Sequence, residues 1–553
     1  MRETAWSEKK CIVVVLLLLL LMGAVLVRDY GITYDENVEI DIARMDLKEY
    51  VRVLFGEDSR FFRFMDDRIG NLMDSVEIDH GEALIYPAVA VVSILREMGH
   101  AEWGMWFLHY YLWVWFCAGL LCLYWSGCFL TDRKRWGILA VLMVFLHPRF
   151  FAEAFFNNKD VLMLSATCIC MWLGICFVEK KDWKTSILWG ASVAFCTNLR
   201  IIGGLYAAVF GCIYLVEYIR EGIRDYKRLW GGVAAILSMI VVFILITPAT
   251  WYGLPEYIVY TIGNAAGFTR WDNWVLYMGE LYNYQLRPLP WHYLLVYAAI
   301  TMPVGILIAV LCGQAFLFWH MIQGIRRKNS GADRKKYIYA YGSIIWIPMV
   351  FFIVKSSNIY NGWRHFYFIY PSMVLLGILA LHATEERFKK IKKGLWAAVL
   401  VQGIVCVWLL SSGHPLQFTY FNSLAGRNVE KDYELDIWNV AFVHAVEQVL
   451  EADSSEHLVL SSEEWNSYFG IKMACEVLPE KLRNRVTFVD PESVDCRTAD
   501  YQLYSCTYTG LNDQMLEKGI AEGEIWTPPV GYEKSLAVKA YGREIITVYR
   551  MIR

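Results

Sequence analysis

Long apolar stretches alternate with short polar connections from residue 11 to residue 411 of this 553-residue chain. A helix needs about 20 mostly apolar residues to cross the hydrocarbon core of a bilayer. The pattern therefore predicts an α-helical polytopic membrane protein with about eleven transmembrane helices. The predicted spans are 11–27, 104–130, 136–150, 160–178, 185–200, 201–219, 231–250, 291–320, 338–355, 366–383 and 395–411.

A long polar and acidic segment, residues 28–103, separates the first two spans and contains one apolar stretch, Ala83 to Met98. Counting that stretch as a span would place the basic cluster at 133–135 on the outer side of the membrane. We therefore predict that it forms an interfacial or re-entrant helix within an outer loop.

After residue 411 the long apolar stretches end, and residues 412–553 carry the shorter patterns of a small soluble α/β domain. The chain thus divides into a membrane domain, 1–411, and a C-terminal domain, 412–553. Within the C-terminal domain the pattern predicts a helix near 437–451, strands at 458–460 and 486–489, and a strand pair near 536–540 and 545–549.

Composition and charge placement support a membrane location. The chain is 57% hydrophobic and 19% charged, too little charge for a soluble protein of this size, and its net charge of −3 suggests no nucleic-acid partner. With the N-terminus in the cytoplasm, eleven spans place every basic cluster inside and the C-terminal domain outside the cell membrane. The run 11–27 is interpreted as a retained anchor, because no small-residue cleavage site follows it. The basic clusters lie at 133–135, 180–181, 220–228, 326–336 and 387–393.

Polar residues gather at the predicted outer ends of the spans. This placement favours a site at the outer leaflet over a transport pathway at the midplane of the bilayer. Asp35 and Glu36 follow the first span directly. They form either a capped helix start or a catalytic pair. Because adjacent carboxylates point apart, Asp35 is the preferred candidate for a general base.

Asp160 and Arg200 each have two interpretations. Asp160 begins a predicted span, so it caps that helix, orients an acceptor, or does both. Arg200 lies between two short spans, so it either reaches to lipid phosphates or clamps a bound phosphate with its planar guanidinium group.

A second cluster of cations, Lys355, Arg364 and His365, lies on a predicted outer loop. Cations are scarce on outer loops, so we interpret this cluster as an anion site that would stabilise a departing lipid phosphate. The aromatic-rich loop 251–290 is either a belt at the membrane interface or a lid that stacks on sugars.

In their order along the chain, these motifs resemble those of the GT-C class of membrane glycosyltransferases. In particular they are similar to the group that holds protein O-mannosyltransferases and the bacterial lipid A aminoarabinose transferase. The resemblance covers roughly residues 11–411. Members of this group often place a histidine and prolines close together before the interfacial helix, whereas here His80 is followed by Pro87 only. The residues that carry it are Asp35-Glu36, Ala83–Met98, Asp160, and Arg364-His365 with Tyr370-Pro371.

The resemblance implies a polyprenyl-phosphate-linked sugar as donor and transfer to a hydroxyl group on the outer face with inversion at the anomeric carbon. The acceptor would be a protein, a glycolipid or a cell-wall polymer. Asp35 would act as base with Glu36 beside it, and Asp160 would position the acceptor. The residues implied for binding the lipid phosphate are Arg200, Lys355, Arg364 and His365.

No cofactor is expected. Some enzymes of the class use a divalent metal, but no ligand spacing in this sequence indicates a metal site. Two other functions stay open: a transporter or flippase of lipid-linked saccharides, which would need no base at Asp35, and a sensor or assembly protein that acts through its C-terminal domain.

Overall fold

The computed structural model describes residues 2–221, 225–267, 274–283, 285–326, 334–506 and 529–552. The membrane domain is built almost entirely from helices. They are α1 Arg2–Leu26, α2 Tyr34–Phe55, α3 Arg60–Asp66, α4 Tyr86–Glu97, α5 Ala101–Thr131, α6 Lys134–Phe145, α7 Pro148–Phe156, α8 Asp160–Lys180, α9 Trp183–Leu199, α10 Gly204–Glu221, α11 Tyr226–Ile246, α12 Leu254–Gly267, α13 Tyr293–Thr301, α14 Val304–Arg326, α15 Lys335–Lys355, α16 Tyr370–Arg387 and α17 Lys392–Gly413.

Each predicted span corresponds to a helix or to a pair of helices. Nine helices among the described residues are long and apolar enough to cross a membrane, judged by length and composition. The pair α6–α7 bends by 69° and would make a tenth span. The helical polytopic class is confirmed, but the number of spans that meet these criteria is lower than predicted. The predicted span 136–150 breaks because Pro148 begins a new helix, and α9 has 17 residues.

Helix ends that carry the predicted cytoplasmic basic clusters lie together at one end of the bundle, joined by ion pairs. This arrangement agrees with the alternating spans derived from the sequence. Which side of the membrane this end faces stays a prediction, and residues 222–224 and 327–333 of these clusters lie outside the described residues. The ion pairs include Arg135–Glu385, Arg334–Asp132, Lys336–Glu179 and Lys181–Glu221.

The segment 28–103 folds around helix α2, with α3 and α4 packed against it. Lys48 of α2 is fully buried, and its ammonium group donates to Asp66, to the carbonyl oxygen of Ile69 and to Asn71 at 2.9–3.0 Å. The apolar stretch Ala83 to Met98 forms α4 after one 3₁₀ turn. At 12 residues α4 is too short to cross a bilayer, which agrees with the predicted interfacial helix.

A short two-stranded hairpin, β1 Trp274–Tyr277 and β2 Glu280–Asn283, belongs to the membrane domain. The elements after residue 413 are α18 Val429–Asp432, α19 Phe442–Ala452, β3 Leu458–Ser461, α20 Trp465–Val477, α21 Glu480–Arg483, β4 Val486–Val489, β5 Tyr501–Ser505, β6 Tyr532–Ala540 and β7 Arg543–Met551.

The C-terminal domain contains a sheet of mixed orientation, with strand order β4-β3-β5-β7-β6 among its described residues. Strand β3 pairs in parallel with β4 and β5, while β7 pairs antiparallel with β5 and β6. The predicted strands are confirmed, but β5 and α20 were not predicted.

The C-terminal domain packs directly on the helix bundle. The side-chain amide of Asn422 donates to the carbonyl oxygens of Ala299 and Met302 at 2.7 Å. The hydroxyl group of Tyr541, at the tip of the β6–β7 hairpin, donates to the carbonyl oxygen of Leu409 in α17 at 3.0 Å. These contacts fix the C-terminal domain over the end of the bundle that holds the polar segment 28–103.

Two hydrogen bonds of the Tyr86 hydroxyl group join α2, α4 and the end of α11. Oδ2 of Asp46 lies 2.7 Å from the hydroxyl group of Tyr86, which lies 3.1 Å from the carbonyl oxygen of Ile246. Because a tyrosine hydroxyl has one proton, it cannot donate to both acceptors. Burial raises the pKa of Asp46 to about 8, so its protonated carboxyl group can donate to Tyr86. Tyr86 then donates to Ile246.

We expect the free energy of unfolding to fall as the pH rises from about 4 to about 8. Across this window the folded chain keeps a proton on Asp46 that the unfolded chain has lost, so Asp46 alone contributes a slope of about −1.4 kcal/mol per pH unit. Asp46→Asn removes the titrating group and keeps a donor toward Tyr86. Thermal unfolding in detergent micelles should therefore depend less on pH in the variant; equal slopes would contradict this assignment.

Candidate active site

Segments that are far apart in the sequence meet around one cavity of about 570 Å³. The start of α2, the loop between α7 and α8, the end of α9 and the segment before α16 form its walls, and the C-terminal domain closes one side. The predicted site residues that line this cavity are Asp35, Asp160, Arg200 and Arg364.

Asp35 is held by one donor from each domain. The Thr33 side chain caps α2, which places Asp35 in the first turn of that helix. The Asp35 carboxylate forms an ion pair with Arg364 and accepts a hydrogen bond of 3.2 Å from the indole N–H of Trp438. The Arg364 guanidinium group also lies over the rings of Tyr360 and Trp438, at 4.4 and 5.4 Å from their centroids.

Asp160 faces Arg200 and does not act as the helix cap. The side-chain oxygen of Asn157 accepts the backbone N–H of Asp160 at 2.6 Å, so Asn157 caps the start of α8. The Asp160 carboxylate forms an ion pair with Arg200 from the end of α9. Of the two roles left open by the sequence, capping therefore falls to Asn157, and the carboxylate of Asp160 lines the cavity.

Glu36 lies away from the cavity, which corrects its place in the predicted catalytic pair. Its side chain is fully buried and completes the capping box with Thr33, accepting the backbone N–H of that residue at 2.7 Å. Its other carboxylate oxygen lies 2.7 Å from Nε2 of His109 in α5. Glu36 is therefore a structural residue that fixes the start of α2.

Lys355 and His365 also lie outside this cavity. Lys355 is exposed at the end of α15 and lines neither cavity described here, so its predicted role in phosphate binding is corrected. His365 lies on the far side of the Arg364 turn, with its ring 4.5 Å from that of Tyr360. It lines a neighbouring apolar cavity.

This second cavity has a volume of about 400 Å³ and is mostly apolar. Its walls come from α12, the end of α15 and the turn after α9. His80 and Arg200 line both cavities, so these two side chains mark the boundary between the apolar cavity and the polar one. Apolar residues that line the second cavity include Ile201, Ile202, Ile262, Ile347, Pro348, Phe351, Phe352 and Phe366.

The aromatic-rich loop 251–290 contributes to this second cavity through α12, whose Thr261, Ile262 and Asn264 line it. Residues 268–273 and 284 of the loop lie outside the described residues. Both predicted roles of the loop, interface belt and sugar-stacking lid, stay open.

A buried ion pair between Lys159 and Glu82 supports the cavity wall and was missed in the sequence. Lys159 also donates to the carbonyl oxygen of Gly81 at 2.9 Å. Burial raises the pKa of Glu82, while the ammonium group of Lys159 opposes that shift. The polar run Asn-Asn-Lys-Asp directly before an apolar span could have indicated this ion pair, but only Asp160 of that run was predicted to be functional.

The C-terminal domain supplies further residues that sequence reasoning did not assign to the site. Trp438 contacts Asp35, and Trp465 and Phe469 of α20 line the cavity at its opening. These two rings and Tyr34 are 38–52% exposed, and the rings of Tyr34 and Phe469 lie 6.5 Å apart. The domain is therefore part of the site.

One geometric arrangement among the described residues could hold a metal ion: His382, Glu385 and Glu386 on α16. It lies at the basic end of the bundle, where Glu385 already pairs with Arg135. The expectation that the protein uses no cofactor stays a prediction.

No family model matches the chain, and no curated protein matches it. Seventeen chains of solved structures match. Among them is the crystal structure of ArnT from Cupriavidus metallidurans bound to undecaprenyl phosphate, at 12% identity and a TM-score of 0.45. The match covers 99% of this chain and 98% of that one. At this level, the similarity specifies neither a reaction nor a substrate for this chain.

Replacing Glu36 tests its structural role. We expect Glu36→Gln to lower the free energy of unfolding by about 1–3 kcal/mol, because it removes the charged partner of buried His109 and weakens the cap of α2. Thermal unfolding in detergent measures the change. Asp41→Asn, on the exposed face of the same helix, is the control and should leave the melting temperature unchanged. Equal melting temperatures for all three proteins would contradict the assignment.

Proposed function

We propose that this protein transfers a sugar from a polyprenyl-phosphate donor to a hydroxyl acceptor at the outer face of the membrane. One observation carries the proposal: the carboxylates of Asp35 and Asp160 line the same polar cavity as the guanidinium groups of Arg200 and Arg364, and Arg200 also lines an apolar cavity. Such a pair of cavities suits a donor with a polar head and a long apolar tail. The motif resemblance to GT-C glycosyltransferases supports the same reaction.

The lipid phosphate would bind at the boundary of the two cavities, with its chain along the apolar walls. Arg200 and Arg364 each form an ion pair with a carboxylate, yet the Nε atom of each has no hydrogen-bond partner among the described residues. Each guanidinium group therefore keeps an N–H donor that no described residue uses, and both arginines line the cavity in which the phosphate would bind. His365 and His80 line the apolar cavity together with Arg200, next to the proposed phosphate position. As the bond to the sugar breaks, the arginines would stabilise the charge that grows on the phosphate.

Asp35 is the proposed general base. The acceptor oxygen would attack the anomeric carbon on the face opposite the phosphate oxygen, and the acceptor proton would pass to Asp35. The bond between the anomeric carbon and the phosphate oxygen breaks, and the phosphate leaves with the electron pair, so the configuration inverts. Asp160, across the cavity, would orient the acceptor.

The opening of the cavity supports an acceptor that approaches from the aqueous side. Its rim carries the half-exposed rings of Tyr34, Trp465 and Phe469, two of which belong to the C-terminal domain. Aromatic faces and polar edges suit sugars and polypeptides alike. The acceptor class therefore remains a protein, a glycolipid or a cell-wall polymer.

The second candidate is a transporter or flippase for lipid-linked saccharides. The apolar cavity beside a cationic boundary favours it as much as it favours an enzyme. A transporter has no need for a carboxylate that accepts a proton, so the two functions differ in what they require of Asp35.

Asp35→Asn should reduce sugar transfer by about 10²–10⁴-fold, since the amide cannot accept the acceptor proton. Donor binding should fall much less. The transfer rate and the donor affinity are both measured on purified protein with short-chain polyprenyl-phosphate sugars. Asp41→Asn on the same helix serves as the matched control and should transfer at the wild-type rate. Normal transfer by Asp35→Asn would reject the base assignment.

Arg200→Ala should weaken the binding of sugar-free polyprenyl phosphate by about 10–100-fold, because charge-assisted hydrogen bonds are lost. Arg200→Lys should recover part of the affinity, since an ammonium group cannot form the bidentate contact. Lys355→Ala is the matched control, an exposed cation that lines neither cavity. Equal affinity in Arg200→Ala and Lys355→Ala would contradict the phosphate site.

A further inference from the structure

Two buried polar groups on the wall of the polar cavity have no hydrogen-bond partner. Glu39 and Asn158 line the cavity with 6% and 2% of their surface exposed. Oε2 of Glu39 and Nδ2 of Asn158 are both buried, and neither meets a hydrogen-bond partner among the described residues. Neither group is used by the reaction proposed above.

A buried polar group without a partner is costly, and such groups are rare in native proteins. Here one group accepts hydrogen bonds and the other donates them. Both residues belong to the lining of a cavity whose volume falls within the range of ligand sites, roughly 300–1,000 Å³. The pair therefore suits a ligand that both donates and accepts hydrogen bonds.

The position of the pair ties it to the reacting groups. Glu39 lies four residues after Asp35, on the same face of α2. Asn158 lies in the short loop between α7 and α8, two residues before Asp160. A ligand that contacts both side chains would lie between the proposed base and the residue that orients the acceptor.

The chemistry of Glu39 favours hydroxyl groups over a cation. Burial, and next the carboxylate of Glu82, raise the pKa of Glu39 well above its usual range. A neutral carboxyl group is a poor ligand for a metal ion or an ammonium group, but it exchanges hydrogen bonds with a hydroxyl in either protonation state.

We propose that Glu39 and Asn158 form the subsite that binds two hydroxyl groups of the transferred sugar. This inference rests on the proposed function and narrows its donor to sugars that present two free hydroxyls to this wall of the cavity. One hydroxyl bonds to the carboxyl group of Glu39, and the other accepts from the amide N–H of Asn158.

The test compares two ligands in purified full-length protein: sugar-free short-chain polyprenyl phosphate, and the same lipid carrying mannose, glucose, galactose or arabinose. For the best-bound member of this panel, Glu39→Gln and Asn158→Ala should each weaken binding by about tenfold or more. Both variants should bind the sugar-free lipid as the wild type does. The matched control is Asp46→Asn, a buried carboxylate of the same helix that is bonded to Tyr86 and lies outside the cavity. It should change neither affinity.

Each outcome is informative. If the wild type binds neither ligand, the proposed function fails. If it binds both, and both variants keep the wild-type ratio of affinities, the subsite is rejected while the donor class stands. If EDTA removes sugar binding, Mn²⁺ restores it and Glu39→Gln abolishes the rescue, Glu39 binds a cation and the hydroxyl subsite is rejected. The melting temperature checks that each variant folds. If Glu39→Gln or Asn158→Ala does not fold, the ratio of affinities in the folded variant decides.

Discussion

The ion pair between Asp35 and Arg364 is the interaction on which the site depends. It joins residues 329 positions apart in the chain and brings the start of α2 against the turn that leads into α16. Arg364 is buried, so loss of Asp35 would leave its guanidinium group poorly solvated and without its carboxylate partner. Trp438 donates to the same carboxylate, so the pair also fixes the C-terminal domain relative to the membrane helices. Asp160 and Arg200 line the same cavity, whose walls this contact between the two domains holds together.

Buried carboxylates around this pair have separate functions. Glu36 fixes the start of α2 through His109, and Asp46 connects α2 to α4 through Tyr86. Asp35 and Glu39 line the cavity from the same helix. Helix α2 thus supplies both structural and candidate reactive carboxylates, which is why its acidic sequence has no single explanation.

Much of the membrane domain could be predicted from the sequence, because each apolar stretch acts locally. The break at Pro148 was missed because hydrophobicity continues through it. Asp160, Arg200 and Arg364 were found because charged groups beside apolar spans are costly and therefore conspicuous. Lys355 satisfied the same criterion but is exposed, since a lysine at a helix end can reach water on its flexible stem.

Contacts between segments far apart in the chain could not be predicted from the sequence. Nothing local to Trp438 or to α20 indicates that they close a cavity in the other domain. Glu39 stands among alternating charges that are typical of a solvated helix face, and only the folded structure shows that it is buried and lines the cavity.

The boundary that His80 and Arg200 form between the two cavities has a consequence for traffic through the protein. In the proposed reaction, the lipid-linked donor would enter along the apolar walls, and the acceptor would arrive past the exposed rings of Tyr34, Trp465 and Phe469. The two substrates would use separate routes, so neither would block the other. The lipid product would then be free to leave along the apolar walls while the glycosylated acceptor still occupied the polar cavity.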